Sequence, residues 1–466
     1  MLIVRTPEGR DAMRRYVCSV VLDEWLGLQW RHEPEARADI AISLEGDTCQ
    51  LRMPDVLFSL PTSDWLTQAS LPQLPLACWD SNSLPGLTNA LVNSELPVLF
   101  GATTPAVAHK NNGLSLPFDL MGSIFFMLTG YEELVSDERD AHGRFPGRAS
   151  LTYRSGSINR PIADEYSEVL WHALHKIWPQ LQRKKLNPKV LLSCDVDEPF
   201  DCSVSSFRTF SRAVVGDFIK RKSPYEAWQR FFRFILNRCG DFSRDPYFTF
   251  DYYIDLCSEF KLQAAFYFIP SSSQPMNCCY SLSDYEIKRL MRKLSDAGHE
   301  IGVHGCYEAY CDSSLTKNYR DLFYKAIGEA GINQSLIGNR QHYLRWDSAQ
   351  TPAILEAANF FYDTSGGYAD CAGFRFGSAR EFPMWDWIGE TQLKLRQRPL
   401  IVMDCTIIDD NYMGLGTDVK AIEHINMLKD HALKLGGQFT LLWHNTSLIR
   451  KDEINLLRKI VDSNNA

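Results

Sequence analysis

The sequence lacks a long apolar run, a long basic run, an internal repeat and a Cys-x-x-Cys pair. A membrane-spanning helix needs about 20 mostly apolar residues, so no transmembrane segment is expected. Residues 1–4 are apolar but charged residues follow at once, so no signal peptide is expected either. The formal net charge is −8. Because phosphate contacts need clustered Lys and Arg, the composition disfavours nucleic acid as a partner.

The thirteen cysteines are scattered and odd in number, and Cys278-Cys279 is their only clustering. This pattern predicts reduced thiols in a cytoplasmic protein, with a zinc–thiolate site as the alternative. The fractions of hydrophobic residues (45%) and charged residues (23%) are typical of soluble globular proteins. A length of 466 residues exceeds one ordinary core and indicates two domains, or one domain with a large addition.

The chain divides in two at a polar, basic segment, Leu181–Pro188, that ends in proline. Residues 1–180 form a smaller α/β accessory region, with amphipathic helices predicted at Asp11–Leu26 and Asp119–Leu134. Asp119 is the expected N-cap of the second helix. Residues 186–466 form the second domain.

Apolar runs in the second domain alternate with helical patterns such as Asp284–Ala297 and Thr351–Asn359. The alternation predicts a parallel α/β sheet or barrel. In such barrels the chemistry lies at the carboxyl ends of the strands. The predicted strands are Val190–Cys194, Ala264–Ile269, Glu300–His304, Leu400–Thr406 and Phe439–His444.

Polar side chains gather where these strands end. Asp195 and Asp197 follow the first strand, and alternation places both on one side if the chain stays extended. Two carboxylates this close repel unless a cation or a proton lies between them. A strand-end turn with a helix cap is the alternative. His304 and His444 each end a strand, and a core histidine is the alternative for His304.

A further segment, Asn339–Arg345, places Arg340 and His342 on one face of a strand. Each of these signals is weak alone, but their common strand-end position favours one functional site.

Residues 186–450 resemble the polysaccharide deacetylase superfamily, the NodB-homology or carbohydrate esterase family 4 proteins. The matching phrases are Asp-Val-Asp-x-Pro, Gly-His-Glu-Ile-Gly-x-His, Arg-x-His-Tyr-Leu-Arg and Trp-His-Asn, in the family's order. Together with the N-terminal region they look like a divergent bacterial branch linked to surface-polysaccharide biosynthesis. The resemblance implies a deformed (β/α) barrel and a divalent metal, commonly zinc.

The resemblance also implies roles for individual residues. Asp195 aligns with the catalytic base, His444 with the acid, and Arg340 with the residue that orients the base. Asp197 and His304 align with metal ligands. Two departures are plain: Val196 separates aspartates that are adjacent in the family, and Glu308 stands where the family has its second histidine.

The third metal ligand is therefore His342 or Glu308, and the remaining alternative is that the protein binds no metal. An Asp-His-His set leaves a divalent metal with a net charge near +1, whereas an Asp-His-Glu set reduces it to about zero and makes a bound water less acidic. The charge argument favours His342.

Aromatic and cationic residues near the motifs are candidate sugar contacts, with core packing or salt bridging as the alternative. The candidates are Tyr307, Tyr343, Arg345, Arg375 and Trp443. His142 and Arg144 in the first region are expected to be structural, although they could contact the barrel.

These inferences predict a metal-dependent hydrolase that removes an N-acyl group, expected to be acetyl, from an amino sugar of a glycan precursor. The alternatives are a non-catalytic carbohydrate-binding protein on the same barrel, and an amidase or deformylase acting on a small non-sugar amide.

Overall fold

The computed structural model describes residues 1–108, 113–271 and 278–462. Two main sheets organise the described chain, one in each half of the sequence. Within the described residues, no helix combines the length and the apolar character needed to cross a bilayer.

The first half contains a six-stranded mixed sheet in the order β2-β1-β3-β4-β8-β7 and a separate β5-β6 hairpin. Its strands are β1 Leu2–Thr6, β2 Trp30–Pro34, β3 Asp39–Leu44, β4 Leu51–Pro54, β5 Ala77–Asp80, β6 Glu95–Val98, β7 Val107–Ala108 and β8 Leu114–Ser115. Its α-helices are α1 Asp11–Cys18, α2 Leu120–Leu128, α3 Tyr131–Val135, α4 Leu151–Arg154 and α5 Ile162–Ile177.

The predicted helices of this half are present in part, because residues 119–134 form two helices, α2 and α3, that are separated at Thr129 and Gly130. Residues 11–26 form α1 followed by a π-helical segment, Ser19–Trp25. Asp119 caps α2 as predicted, because its carboxylate accepts a hydrogen bond from the backbone N–H of Gly122 at 2.7 Å.

The second half is built on a nine-stranded sheet in the order β14-β15-β13-β12-β11-β10-β9-β17-β16. Every neighbouring pair is parallel except β14 and β15, which are antiparallel. Its strands are β9 Lys189–Val196, β10 Ala264–Phe268, β11 Glu300–Gly305, β12 Gly338–Gln341, β13 Tyr362–Asp363, β14 Phe382–Asp386, β15 Thr391–Gln397, β16 Val402–Met403 and β17 Gln438–Leu442.

Helices link these strands. They are α6 Phe207–Ile219, α7 Pro224–Arg238, α8 Phe250–Phe260, α9 Tyr285–Asp296, α10 Ser313–Glu329, α11 Thr351–Ala357, α12 Asp404–Ile408, α13 Val419–Lys434 and α14 Lys451–Val461. The half is therefore a mixed α/β unit, and its parallel sheet curls as in a partly open barrel.

The prediction of a strand at residues 400–406 is partly wrong. The strand β16 ends at Met403, and Asp404 begins the short helix α12. The apolar periodicity of a short strand and of a buried helical turn is the same over so few residues.

The prediction that the cysteines are reduced is also corrected. Cys202 and Cys279 form a disulfide across 77 residues of sequence, with their Cα atoms 6.0 Å apart. Pairing between such distant cysteines depends on the fold and has no local signature in the sequence. The other eleven cysteines carry thiols and form no disulfide.

The two halves share apolar packing. The core of the first half includes Phe376, Phe382 and Trp385 from the second half, and the ring of Trp385 lies 5.2 Å from that of Tyr16. The α5 helix ends at Ile177 and β9 begins at Lys189, and the described residues between them form no helix or strand. The boundary at 180–186 stays a prediction.

Candidate active site

The carboxyl ends of four parallel strands bring the predicted site residues together. Asp195 is the last but one residue of β9, His304 lies in β11 and Arg340 lies in β12, opposite His304. His444 follows β17, which pairs with β9. A cleft of about 170 Å³ opens at this edge, and it is lined by Arg144, Asp195, Asp197, His304, His342, Tyr343, Leu344, Met403, Cys405, Tyr412 and His444.

The candidate base is held beneath the cleft by an arginine. A guanidinium nitrogen of Arg340 lies 3.1 Å from Oδ1 of Asp195, and both side chains are buried. A second nitrogen of Arg340 donates to Ser193 Oγ at 2.9 Å. The guanidinium also covers the ring of Tyr267 at 4.8 Å. This packing fixes the orientation of the Asp195 carboxylate.

A glycine in β11 makes room for that aromatic ring. A Cβ at Gly302 would lie 2.5 Å from the Tyr267 ring, closer than non-bonded carbon atoms approach. Gly302, the second glycine of the Gly-His-Glu-Ile-Gly phrase, is thus required by close packing inside the sheet.

Three side chains form a candidate metal centre. Ligand atoms of Asp197, His304 and His342 all lie within 4.8 Å of one another. Nε2 of His304 lies 3.3 Å from Oδ1 of Asp197, and Nε2 of His342 lies 3.7 Å from the same oxygen. Nδ1 of His304 faces the backbone carbonyl oxygen of Arg340 at 2.8 Å, which turns Nε2 toward the centre.

The chemistry of this group fits a divalent metal. Oδ1 of Asp197 is buried and has no hydrogen-bond partner within the described chain. Burial lowers the pKa of His342 to about 4, so this imidazole is neutral at pH 7 and its lone pair is free for coordination. Burial opposes ionisation of Asp197, but the neighbouring imidazoles hold its pKa well below its ordinary value. One carboxylate and two imidazoles are a ligand set that zinc accepts.

Glu308, the competing third ligand, lies outside this group. Its Oε1 accepts a hydrogen bond from the hydroxyl of Tyr319 at 2.7 Å. It does not belong to the cluster formed by Asp197, His304 and His342. The structure thus places His342, and not Glu308, beside the other two candidate ligands.

His444 is paired with a carboxylate that the sequence analysis did not identify. Oδ1 of Asp404 lies 2.7 Å from Nδ1 of His444, and Oδ2 accepts the backbone N–H of His444 at 2.7 Å. Burial opposes the charged imidazole, but the fully buried Asp404 raises the pKa of His444 well above its ordinary value. The signal was available, since Asp404 directly follows an apolar run just as Asp195 does.

This pairing leaves Nε2 of His444 facing the cleft, 3.8 Å from Oδ2 of Asp197. The ligand atoms of Asp404, Cys405 and His444 also lie within 4.8 Å of one another. Because Asp404 and His444 already bond each other closely, we interpret them as a carboxylate–imidazole pair that can hold and release a proton.

The first half of the chain supplies one wall of the cleft. Arg144 lines the cleft and donates to the backbone oxygen of Tyr343 at 2.8 Å. Nδ1 of His142 lies 3.1 Å from the hydroxyl of Tyr307. The guanidinium of Arg345 donates to the backbone oxygens of His142 and Tyr307, both at 2.8 Å. Tyr307 and Arg345, two of the predicted sugar-binding residues, thus hold the segment around His142 in place.

Of the remaining candidate sugar contacts, only Tyr343 lines the cleft. Trp443 is fully buried in the core, and Arg375 is buried in a two-pronged ion pair with Glu133 at 2.7 and 2.8 Å. Their burial favours the structural alternative, and contact with a substrate stays a prediction for both. Apolar packing and ion pairing use the same residue types as sugar binding, so sequence does not separate them. Tyr412 is a cleft residue that was missed.

Comparison with known proteins gives partial similarities. Residues 2–179 match the model of a family of unknown function, DUF7033. No curated protein matches the chain.

Several solved structures match part of the chain. A protein assigned as a polysaccharide deacetylase from Mycobacterium smegmatis is 18% identical, with a TM-score of 0.37, and the match covers 60% of this chain and 84% of that one. One from Pseudomonas aeruginosa PAO1 is 15% identical, with a TM-score of 0.35 and coverage of 67% and 90%. Puue allantoinase is 13% identical, with a TM-score of 0.34 and coverage of 61% and 85%. Because these similarities are low, the functional inference rests on the residues of the cleft.

Proposed function

We propose that the protein is a metal-dependent hydrolase that removes an N-acyl group, most simply acetyl, from an amino sugar of a surface-polysaccharide precursor. The observation that carries the proposal is the convergence of three units in one cleft. These are the Asp195–Arg340 pair, the Asp197–His304–His342 group and the His444–Asp404 pair.

Each unit has a place in amide hydrolysis. Arg340 holds the Asp195 carboxylate so that it accepts the proton of an attacking water. Asp197, His304 and His342 would hold the metal, for which zinc is the proposed ion. When bound, such an ion supplies Lewis acidity for the acyl carbonyl and lowers the pKa of a water.

His444 supplies the proton that the leaving group needs. An amide nitrogen is a poor leaving group until it is protonated. Asp404 stabilises the imidazolium form of His444 and directs Nε2 toward the cleft, so this residue donates the proton that releases the amine. A protein that only binds carbohydrate has no need of a base, an orienting arginine and an acid together.

The proposal is tested with purified full-length protein in the zinc-loaded form. Acetate release is measured from nucleotide-linked N-acetylhexosamines and, separately, from simple N-acetyl and N-formyl amides. We expect release from the acylated sugars, and we expect Asp195→Asn to abolish it at unchanged zinc content. Asp296→Asn, on an exposed side chain of α9, is the matched control and should retain full activity.

Two outcomes would contradict the proposal. Binding of the sugars with metal present but without acetate release would identify a non-catalytic carbohydrate-binding protein. Release from non-sugar amides alone would identify an amidase or deformylase.

A further inference from the structure

An antiparallel helical hairpin, α6–α7, leaves the sheet at the edge that carries the cleft. It begins shortly after Asp197 and returns to the sheet through α8. The two helices pack through aromatic side chains, with the rings of Phe210 and Phe234 stacked at 4.4 Å. An ion pair between Asp217 and Arg230 at 2.7 Å joins the other end of the hairpin. The hairpin is thus a defined element with its own internal contacts.

The outer surface of this hairpin is apolar to a degree seen nowhere else in the described chain. It holds eight of the twenty large hydrophobic side chains that are exposed in the described residues. Phe207 and Ile219 are each 70% exposed, Tyr225 is 67% exposed and Trp228 is 60% exposed. A soluble surface rarely keeps such a patch without a partner.

The same surface is strongly basic. Residues 206–239 contain eight Lys and Arg against two Asp and Glu, so their net charge is +6, whereas the whole chain carries −8. Both acidic residues already pair inside the hairpin, Asp217 with Arg230 and Glu226 with Arg233. Within the described residues, five cations of the hairpin have no ion pair: Arg208, Arg212, Lys220, Lys222 and Arg238.

The apolar and basic side chains share one helix face. Arg208, Arg212, Val215 and Ile219 are spaced four, three and four residues apart on α6, which places them in one row. On α7, Tyr225, Trp228, Phe231 and Ile235 form a second exposed row at spacings of three, three and four. The hairpin therefore presents aromatic and aliphatic groups beside unpaired positive charge.

We propose that the α6–α7 hairpin docks the protein onto the anionic lipid surface of a membrane. Apolar side chains of such helices enter the boundary between headgroups and acyl chains, while Lys and Arg contact lipid phosphates. A nucleic acid would stack on Tyr225 and Trp228 but offers nothing apolar for Val215 and Ile219. A second copy of the chain would bring two surfaces of charge +6 together, which repel each other.

The test uses the full-length protein and sedimentation with two kinds of unilamellar vesicle. One kind contains phosphatidylcholine alone, and the other contains phosphatidylcholine with phosphatidylglycerol. We expect binding at least about ten-fold stronger to the anionic vesicles, weakening as salt is raised. The charge-reversing variant Arg208→Glu/Arg212→Glu should reduce this binding about ten-fold or more.

Two further variants distinguish the effect of charge on the hairpin from that of net charge and from that of an exposed aromatic side chain. Lys317→Glu/Lys325→Glu on α10 makes the same change in net charge at exposed positions elsewhere and should bind like the unmodified protein. Trp228→Ser should weaken binding to anionic vesicles at equal charge. Circular dichroism establishes that each variant is folded.

The proposal is overturned if anionic vesicles do not bind the unmodified protein, or if Arg208→Glu/Arg212→Glu binds them as well as the α10 variant does. It is also overturned if sedimentation without lipid shows dimers that Trp228→Ser dissociates, or if single-stranded oligonucleotides bind and vesicles do not.

Discussion

At the scale of single residues, the candidate acid His444 depends on a carboxylate, Asp404, that follows a separate strand, β16. Asp404 uses both oxygens on His444, one on the ring and one on the backbone. The ring is thereby held in the tautomer that carries a proton on Nδ1 when neutral, and the imidazolium is stabilised.

We predict that His444→Ala lowers kcat roughly 10²–10⁴-fold, the usual weight of general acid catalysis, and that Asp404→Asn lowers it by a similar order. Both variants should keep their metal, because neither residue belongs to the Asp197 group. The measurement is steady-state acetate release together with metal analysis. His424→Ala, on α13, is the control, and equal activity in all the variants would refute the role of His444.

A second prediction concerns the third metal ligand. His342→Ala should lower metal affinity at least about ten-fold, since one of three protein ligands is lost. Glu308→Ala should keep the metal, because Glu308 bonds Tyr319 and lies outside the ligand group. The metal content of the two variants after identical purification decides whether His342 or Glu308 is the third ligand. Selective loss of metal from the Glu308 variant would reverse the assignment.

At the scale of elements, the sequence predicts most of the strands that place the site. The apolar runs at β9, β10, β11 and β17 lie where expected, because strands buried on both faces contain few polar residues. His342 reaches the cleft by a different route from the predicted one. The strand β12 ends at Gln341, and His342 lies in a tight turn in which Tyr343 has a positive φ of 63°. Alternation along an extended strand does not anticipate such a turn.

For other elements, the sequence contains no pattern that predicts their role or their contacts. The sequence alone does not indicate a role for the hairpin α6–α7, since most of its cations are interleaved with aromatic residues and its longest basic run is only three residues, 220–222. The partners of Arg345 lie in another part of the chain, at His142 and Tyr307. Contacts between segments so far apart become visible only in the folded chain.

A third prediction concerns the segment that Arg345 holds against the cleft. Its guanidinium lies between the rings of Tyr307 and Tyr310, 4.2 and 4.1 Å away, and donates to the backbone of His142. Arg345→Ala should free residues 140–145 and raise KM about ten-fold, because hydrogen bonds from charged donors are lost.

The metal content of Arg345→Ala should stay unchanged, and cleavage by trypsin after Arg144 should become faster. Arg148→Ala, an exposed arginine a few residues away, is the control and should alter neither property. An unchanged KM and an unchanged cleavage rate would show that Arg345 does not position this wall.

At the scale of the whole molecule, the two halves are joined by buried polar contacts as well as by apolar packing. Asp164 of α5 accepts hydrogen bonds from Ser378 Oγ at 2.6 Å and from the backbone N–H of Ala379 at 2.8 Å. Arg380 donates to Glu168 at 3.0 Å. Since these groups are buried, separating the halves would leave several charges without partners.

The ion pair between Glu133 and Arg375 provides a direct test of the contacts between the two halves. Glu133 accepts two hydrogen bonds from the guanidinium, and both side chains are almost wholly buried. Glu133→Ala leaves a buried arginine without its counter-ion, so we expect it to lower the free energy of unfolding by about 3–5 kcal/mol. The measurement is the midpoint of denaturant unfolding, followed by a probe in each half.

Glu138→Ala, an exposed residue of the following segment, is the control and should change stability by less than about 0.5 kcal/mol. The double variant Glu133→Met/Arg375→Met should recover much of the lost stability, because removing both charges also removes the cost of burying one alone. If the two halves unfold in one transition, Glu133→Ala will shift both probes together. A shift confined to the probe in one half would show that this ion pair does not couple the two halves.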